Sequence, residues 1–158
     1  MCDTIYAGAT AAGAGRAWFA KNSDRNPAEP QALCIVPRGG EGGLSFVLSR
    51  PTWMKGGEMG VNERGVAIGN EAVFSRFKPK KDGVLGMDIL RAALAHSGTA
   101  AEARDYICDF VERVAQGGNG AYKGSLVYDN SYIVSGSGEA FVVETAGRRW
   151  AWKAIDGI

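Results

Sequence analysis

Met1-Cys2-Asp3-Thr4-Ile5-Tyr6-Ala7 opens the chain, and Phe19-Ala20-Lys21-Asn22-Ser23-Asp24-Arg25 follows about twenty residues from Cys2. Residues 2–7 read as a strand, so Cys2 begins an ordered element. Residues 16–20 read as a second strand. Between them, residues 8–15 are rich in Gly and Ala, which is a hairpin signal. A hairpin brings the end of one strand to the start of the other, so residues 21–25 fall beside Cys2. If Met1 is removed, Cys2 carries a free α-amine next to its own thiol. Such an amine ordinarily titrates at about 7.7–8.0, so part of it is neutral near neutral pH. It can take the thiol proton, and the thiolate is a strong nucleophile. A Cys is otherwise a small hydrophobe; the ordered strand and the polar cluster favour the nucleophile.

Composition narrows the function classes. The chain has 158 residues, 46% of them hydrophobic, which suits one domain with a real core. Eighteen Lys and Arg balance seventeen Asp and Glu, for a net charge of +1. That balance gives no electrostatic case for nucleic acid or an anionic membrane as partner. No apolar run approaches the ~18 residues of a membrane span, and no basic-then-apolar leader opens the chain. The cysteines, Cys2, Cys34 and Cys108, are odd in number and widely spaced. A disulfide framework is not expected, which points to a reducing, cytoplasmic compartment. No two cysteines are close, and His96 is the only histidine, so neither a metal nor another cofactor is expected.

Strand-like runs at 2–7, 16–20, 32–36, 44–48 and 66–70 are separated by Gly, Pro and Asn clusters, the spacing of a β-meander. From Gly86 the period changes to helical through Ala95. Thr99 followed by Glu102 fits a capping box for a second helix. Its apolar stripe is Ala103, Tyr106, Ile107, Phe110, Val111 and Val114, and Gly117-Gly118 closes it. Strands return at 125–128, 131–134, 140–144 and 150–154. Strands, a helix pair and strands again read as α+β, with the helices packed on a sheet face.

Several ordered blocks carry a family resemblance. Cys2-Asp3-Thr4, the block from Phe19 to Arg25, and the block from Glu58 to Val73 resemble the secernin and dipeptidase A family of N-terminal-nucleophile (Ntn) hydrolases. So do Gly117-Gly118-Asn119-Gly120, Asp129-Asn130-Ser131, Glu144-Thr145-Ala146-Gly147 and Trp150-Ala151. The resemblance runs from Cys2 to about Trp152. It implies the αββα Ntn sandwich, of which residues 1–158 supply a single, incomplete domain, since the family's next motif, Ile-Ser-Asn, lies beyond Ile158. Uncovered sheet edges and an uncovered apolar face imply poor solubility or homo-oligomers.

The resemblance also implies a thiol-dependent dipeptidase: Cys2 attacks the peptide carbonyl and its α-amine shuttles the proton. The same chemistry on another pocket gives a non-peptide amidase or acylase. A secernin-like protein without hydrolysis, or an inactive truncated member, is the remaining alternative. Asp24 is the carboxylate expected to hold the α-amine, against an Asx turn. Asn70 is the expected oxyanion donor, against a turn Asn satisfied by backbone. Lys21 tunes the thiol or covers the sheet as a solvated charge. Arg25 anchors a substrate carboxylate or pairs with an acid at the surface. Asn130 reads equally as a family residue or a turn, and Glu144 reads as a buried structural acid. Cys34 and Cys108 read as core.

Overall fold

Apolar residues two apart make the strand-like runs half-buried, and the computed structural model, which describes residues 2–13, 15–39, 43–77 and 79–155, shows where each face goes. Strand β1 (Cys2–Ala7) pairs antiparallel with β2 (Trp18–Ser23), with Cys2 opposite Ser23 and Ala7 opposite Trp18. The expected hairpin is present. Its turn holds one helical turn, α1 (Ala9–Ala12), at an Ala-rich stretch where helix propensity is highest.

Seven further strands form one antiparallel sheet in chain order. They are β3 (Gln31–Val36), β4 (Phe46–Pro51), β5 (Met59–Asn62), β6 (Ala67–Val73), β7 (Asp129–Gly136), β8 (Glu139–Ala146) and β9 (Arg149–Ala154). Strand β5 is absent from the sequence expectation, because four residues that include Gly60 and Asn62 carry little strand signal. Residues 125–128, expected as a strand, are not one. The Leu126 backbone is engaged in the preceding loop: its N–H donates to Asn119 Oδ1 (2.9 Å) and its carbonyl accepts from Gly120 N (2.9 Å).

Helices α2 (Gly86–His96) and α3 (Ala100–Val114) fill the connection from β6 to β7 and cover one face of the sheet. Thr99 caps α3 by accepting from Glu102 N at 3.1 Å, while the Glu102 carboxylate takes the Gly98 N–H at 2.7 Å. This is a capping box shifted by one residue on its return arm. The buried core joins Leu48, Ile68, Tyr132, Val134 and Val143 of the sheet to Ile89, Leu90, Leu94, Ile107 and Val111 of the helices. Val114, expected in the α3 stripe, is 47% exposed at the last turn of the helix.

The opposite face is different. Pleat alternation turns Leu33 and Ile35 outward, and they are 77% and 79% exposed. The β1–β2 hairpin lies across this face near β6 and β7. A side chain at Gly69 would meet both the Phe19 ring and the Thr4 methyl at 3.2 Å, so the glycine lets the hairpin sit down on β6. Beside the hairpin a cleft of about 390 Å³ opens between Trp18 and Phe19 on one side and Leu33, Val47 and Val61 on the other. Among the described residues, no helix is long and apolar enough to cross a membrane.

Candidate active site at the Cys2 end of the hairpin

Alternation along the hairpin decides which side chains meet the sheet. Cys2, Thr4 and Tyr6 share the inner face with their partners Ser23, Lys21 and Phe19. Thr4 donates to the Glu71 carboxylate. The Lys21 ammonium, whose side chain is only 2% exposed, donates to the Asn70 backbone carbonyl and to Glu71 Oε1 at 3.1 Å, and lies 3.9 Å from Glu58. Ser23 Oγ, directly across from Cys2, donates to Glu58 Oε2 at 3.0 Å. Arg25 donates Nη1 to Glu58 Oε1 (2.7 Å), Nε to Glu29 Oε2 (2.8 Å) and Nη2 to the Gly120 carbonyl (2.8 Å). Burial pulls down the Arg25 guanidinium pKa, but Glu29 and Glu58 outweigh burial and raise it. A buried charge is tolerated only when paired and hydrogen-bonded, and each of these is. Cys2 therefore stands at the rim of a fixed charged cluster centred on Glu58.

The expected site residues divide. Lys21 and Arg25 belong to this cluster. Arg25 Nε, Nη1 and Nη2 each donate one N–H to an acceptor of this chain, three of the five that a guanidinium carries. Lys21 is buried and not a solvated surface charge. Asp24 is one residue past the partner of Cys2, on the exposed side, where it accepts from Asn22 Nδ2 at 3.0 Å.

The Asn70 carboxamide, expected as an oxyanion donor, enters a buried network whose amide orientations follow from donor and acceptor logic. The Asn130 backbone N–H, an unambiguous donor, reaches Gln116 Oε1 at 3.1 Å. Gln116 Nε2 then donates to Thr145 Oγ1 (2.6 Å), whose hydroxyl donates to the Asn130 carbonyl. Asn130 must give Nδ2 to Gln116 Oε1 (3.0 Å) and leave Oδ1 for Asn70. Asn70 Nδ2 accordingly donates one N–H to Asn130 Oδ1 (3.0 Å) and the other to Met87 Sδ (3.2 Å), a weak acceptor, and Asn70 Oδ1 is buried without a partner. Asn130 is thus part of a buried amide relay and not a surface turn. A side chain at Gly86 would collide with the Asn130 carboxamide, so the relay also requires that glycine. Glu144, expected to be buried, is exposed and accepts from Ser131 Oγ at 2.9 Å, because the pleat turns it away from the helices. Cys108 is buried, and burial pushes its thiol up to about 11. Cys34 is half-buried beside Arg50 Nε at 3.2 Å.

Sequence reasoning misses Glu58, Glu29 and Tyr128. The Arg25/Glu29 spacing of four is a readable signal; Glu58 is visible only as one letter of a longer block. Tyr128 ends the 125–128 run, which does not form a strand. It is 7% exposed, and burial pushes its hydroxyl up to about 12, with the Glu58 and Cys2 charges adding and Arg25 opposing. Among the described residues, no group of three or more His, Cys, Asp or Glu could hold a metal ion.

Known proteins share this architecture. A mutant of conjugated bile acid hydrolase from Clostridium perfringens superposes with a TM-score of 0.70 at 13% identity, over 99% of this chain and 51% of that one. A variant of the same hydrolase gives a TM-score of 0.60 at 12% identity, over 80% and 43%. Penicillin V acylase from Agrobacterium tumefaciens gives a TM-score of 0.55 at 17% identity, over 78% and 41%. At such identities the likeness is one of fold, and it agrees with the expected α+β, Ntn-hydrolase-type architecture. The chain spans about half the length of these proteins. The family model for acyl-coenzyme A:6-aminopenicillanic acid acyl-transferase matches residues 11–119, and the chain belongs to that family.

Proposed function

We propose that this chain carries the nucleophilic half of a thiol-dependent amide hydrolase, with Cys2 as nucleophile once Met1 is removed. The α-amine takes the thiol proton as Sγ bonds to the amide carbonyl carbon. The carbon–nitrogen bond then breaks, and the ammonium returns the proton to the leaving amine, which gives a thioester and a free amine. Water adds to the thioester with the amine as base, and the acid and the thiol are released. Asp24, next to the Cys2–Ser23 pair, is the carboxylate assigned to hold the α-amine. Lys21 and Arg25 hold the site and set its charge. The observation that carries this reading is the pairing of Cys2 with Ser23, whose hydroxyl enters the Glu58–Arg25–Lys21 cluster.

The finer assignment is a dipeptidase of the dipeptidase A type. An acylase of small amides is the second reading, favoured by the acyl-transferase family membership and by a fold shared with a bile acid hydrolase and a penicillin acylase. Dipeptides and N-acyl amino acids, offered to the protein and to Cys2→Ala, separate them. Dipeptide cleavage that disappears in Cys2→Ala is the expected result. Cleavage of N-acyl amino acids alone selects the acylase, and activity surviving in Cys2→Ala removes the nucleophile.

A further inference from the structure

The path of the hairpin over the sheet fixes where a substrate can extend from Cys2. Tyr6 and Ala67 line one cleft, while Thr4 lies on Gly69 and bonds to Glu71. Two residues along β1 therefore match two residues along β6, about 7 Å in either strand. The next step brings Cys2 to the end of β6, where Val73 pairs with Asp129 at the start of β7. A second cavity, of about 290 Å³, opens where these two strands run out. Val73, Phe74, Val127 and Tyr128 line it from the strand ends, and Phe77 and Lys81 line it from the loop that follows β6.

This cavity is held in shape and is rimmed by cations. Ser75 Oγ donates to the buried Asp129 carboxylate at 2.8 Å and accepts from the Phe77 N–H at 3.1 Å, which pins the loop to β7. Phe74, 72% exposed, makes a T-shaped contact with the Tyr128 ring at 6.2 Å. The Arg149 and Arg76 guanidiniums lie 5.1 and 5.8 Å from the centre of the Phe77 ring. Residues 75–82 hold four of the eighteen Lys and Arg and a single acid, Asp82, in a chain whose net charge is +1. Among the described residues no ion pair engages Arg76, Lys81 or Arg149. An apolar wall with cations at its rim suits an apolar group that carries an anion.

In dipeptides and N-acyl amino acids alike, the free carboxylate belongs to the residue that leaves as the amine. The cations therefore select one side of the scissile bond. The cavity is at the small end of ligand pockets, which suits one residue and not a long acyl chain. We propose that it is the subsite for the leaving residue, an apolar or aromatic α-amino acid whose free carboxylate meets Lys81, Arg76 and Arg149; this rests on the amide-hydrolase reading above. Phe74, Phe77 and Val127 take the side chain, and the site discriminates against amides whose C-terminus is capped.

Steady-state kinetics on the full chain test it with Ala-Phe and N-acetyl-Phe, the C-terminal amide of each, and Ala-Ala and N-acetyl-Ala. The alanyl and acetyl series cover a dipeptidase and an acylase equally. In the series that is cleaved, the free acid should exceed its C-terminal amide by about tenfold or more in kcat/KM, as for a bond to a charged group. The Phe substrate should exceed the Ala substrate by about tenfold or more, as for burial of an aromatic side chain. Lys81→Glu should remove or invert the first preference and keep the second. Phe77→Ala should reduce the second and keep the first. Each variant moves one ratio, which a general loss of structure would not do. Equal wild-type rates on the acid and its amide, with cleavage abolished in Cys2→Ala, overturn the subsite and leave the hydrolase reading intact. A Lys81→Glu variant that slows both equally, or changes neither, also overturns it. A wild-type chain that cleaves none of the six compounds overturns both.

Discussion

The two faces of the seven-stranded sheet follow the same two-residue pleat and end in opposite states. On one, Leu48, Ile68 and Val134 meet Leu90, Leu94 and Ile107 of the helix pair, all at 0% exposure. On the other, Leu33 and Ile35 face solvent, and the β1–β2 hairpin rests on the sheet near β6 and β7. The apolar core lies on the covered face, and the hairpin that carries Cys2 lies on the sparsely covered one. Cys2, Lys21 and Ser23 approach from the hairpin side, and the Asn70–Asn130–Gln116 relay backs β6 and β7 from the helix side. Residue Asn70 joins the two, since its side chain enters the relay while its backbone carbonyl holds Lys21.

The largest effect expected from this asymmetry is in core truncation. Leu94→Ala should cost about 2–5 kcal/mol, whereas Leu33→Ala should stay within about 0.5 kcal/mol. Urea midpoints at equal slope measure both, and equal costs would erase the distinction between the faces. Gly86→Ala comes next. It forces a methyl group into the Asn130 carboxamide and should cost about 1–3 kcal/mol, the range for overpacking. A neutral result would show that the relay is not fixed.

A smaller effect is expected at acid pH. Burial raises Glu29, but hydrogen bonds from the Trp53 indole and Arg25 outweigh it and hold the carboxyl below its usual range. A lowered folded pKa gives stability that is present above the unfolded value of about 4.3 and is lost as pH falls through the folded one. Glu29→Gln should therefore flatten the loss of stability as pH falls below about 4.3, and the difference should vanish once the wild-type carboxyl is protonated as well. An unchanged acid limb would contradict the pairing. Least costly to stability is Ile35→Lys on the bare face, which should weaken self-association in sedimentation runs without moving the melting midpoint.

The covered face is more legible in the sequence than the site is. Helical spacing locates α2 and α3, and Thr99 with Glu102 locates the boundary between them, because these signals are local. The hairpin is legible from its Gly- and Ala-rich turn, which correctly brings residues 21–25 beside Cys2. What escapes depends on long-range partners. Nothing near Glu58 in the chain indicates that it bridges Ser23, Arg25 and Lys21. Asn70 reads as a free donor until the Asn130 backbone N–H, sixty positions along the chain, fixes which end of its amide points where. Tyr128 is hidden because the Asn119 loop takes the backbone bonds that would have extended β7.

Intact-mass analysis after brief exposure to a cleavable amide tests the central claim most directly. The account predicts a chain lacking Met1, with a transient acyl group mapping to Cys2 and absent from Cys2→Ser. A chain that keeps Met1, or an acyl group that maps to Cys34 or Cys108, would contradict it.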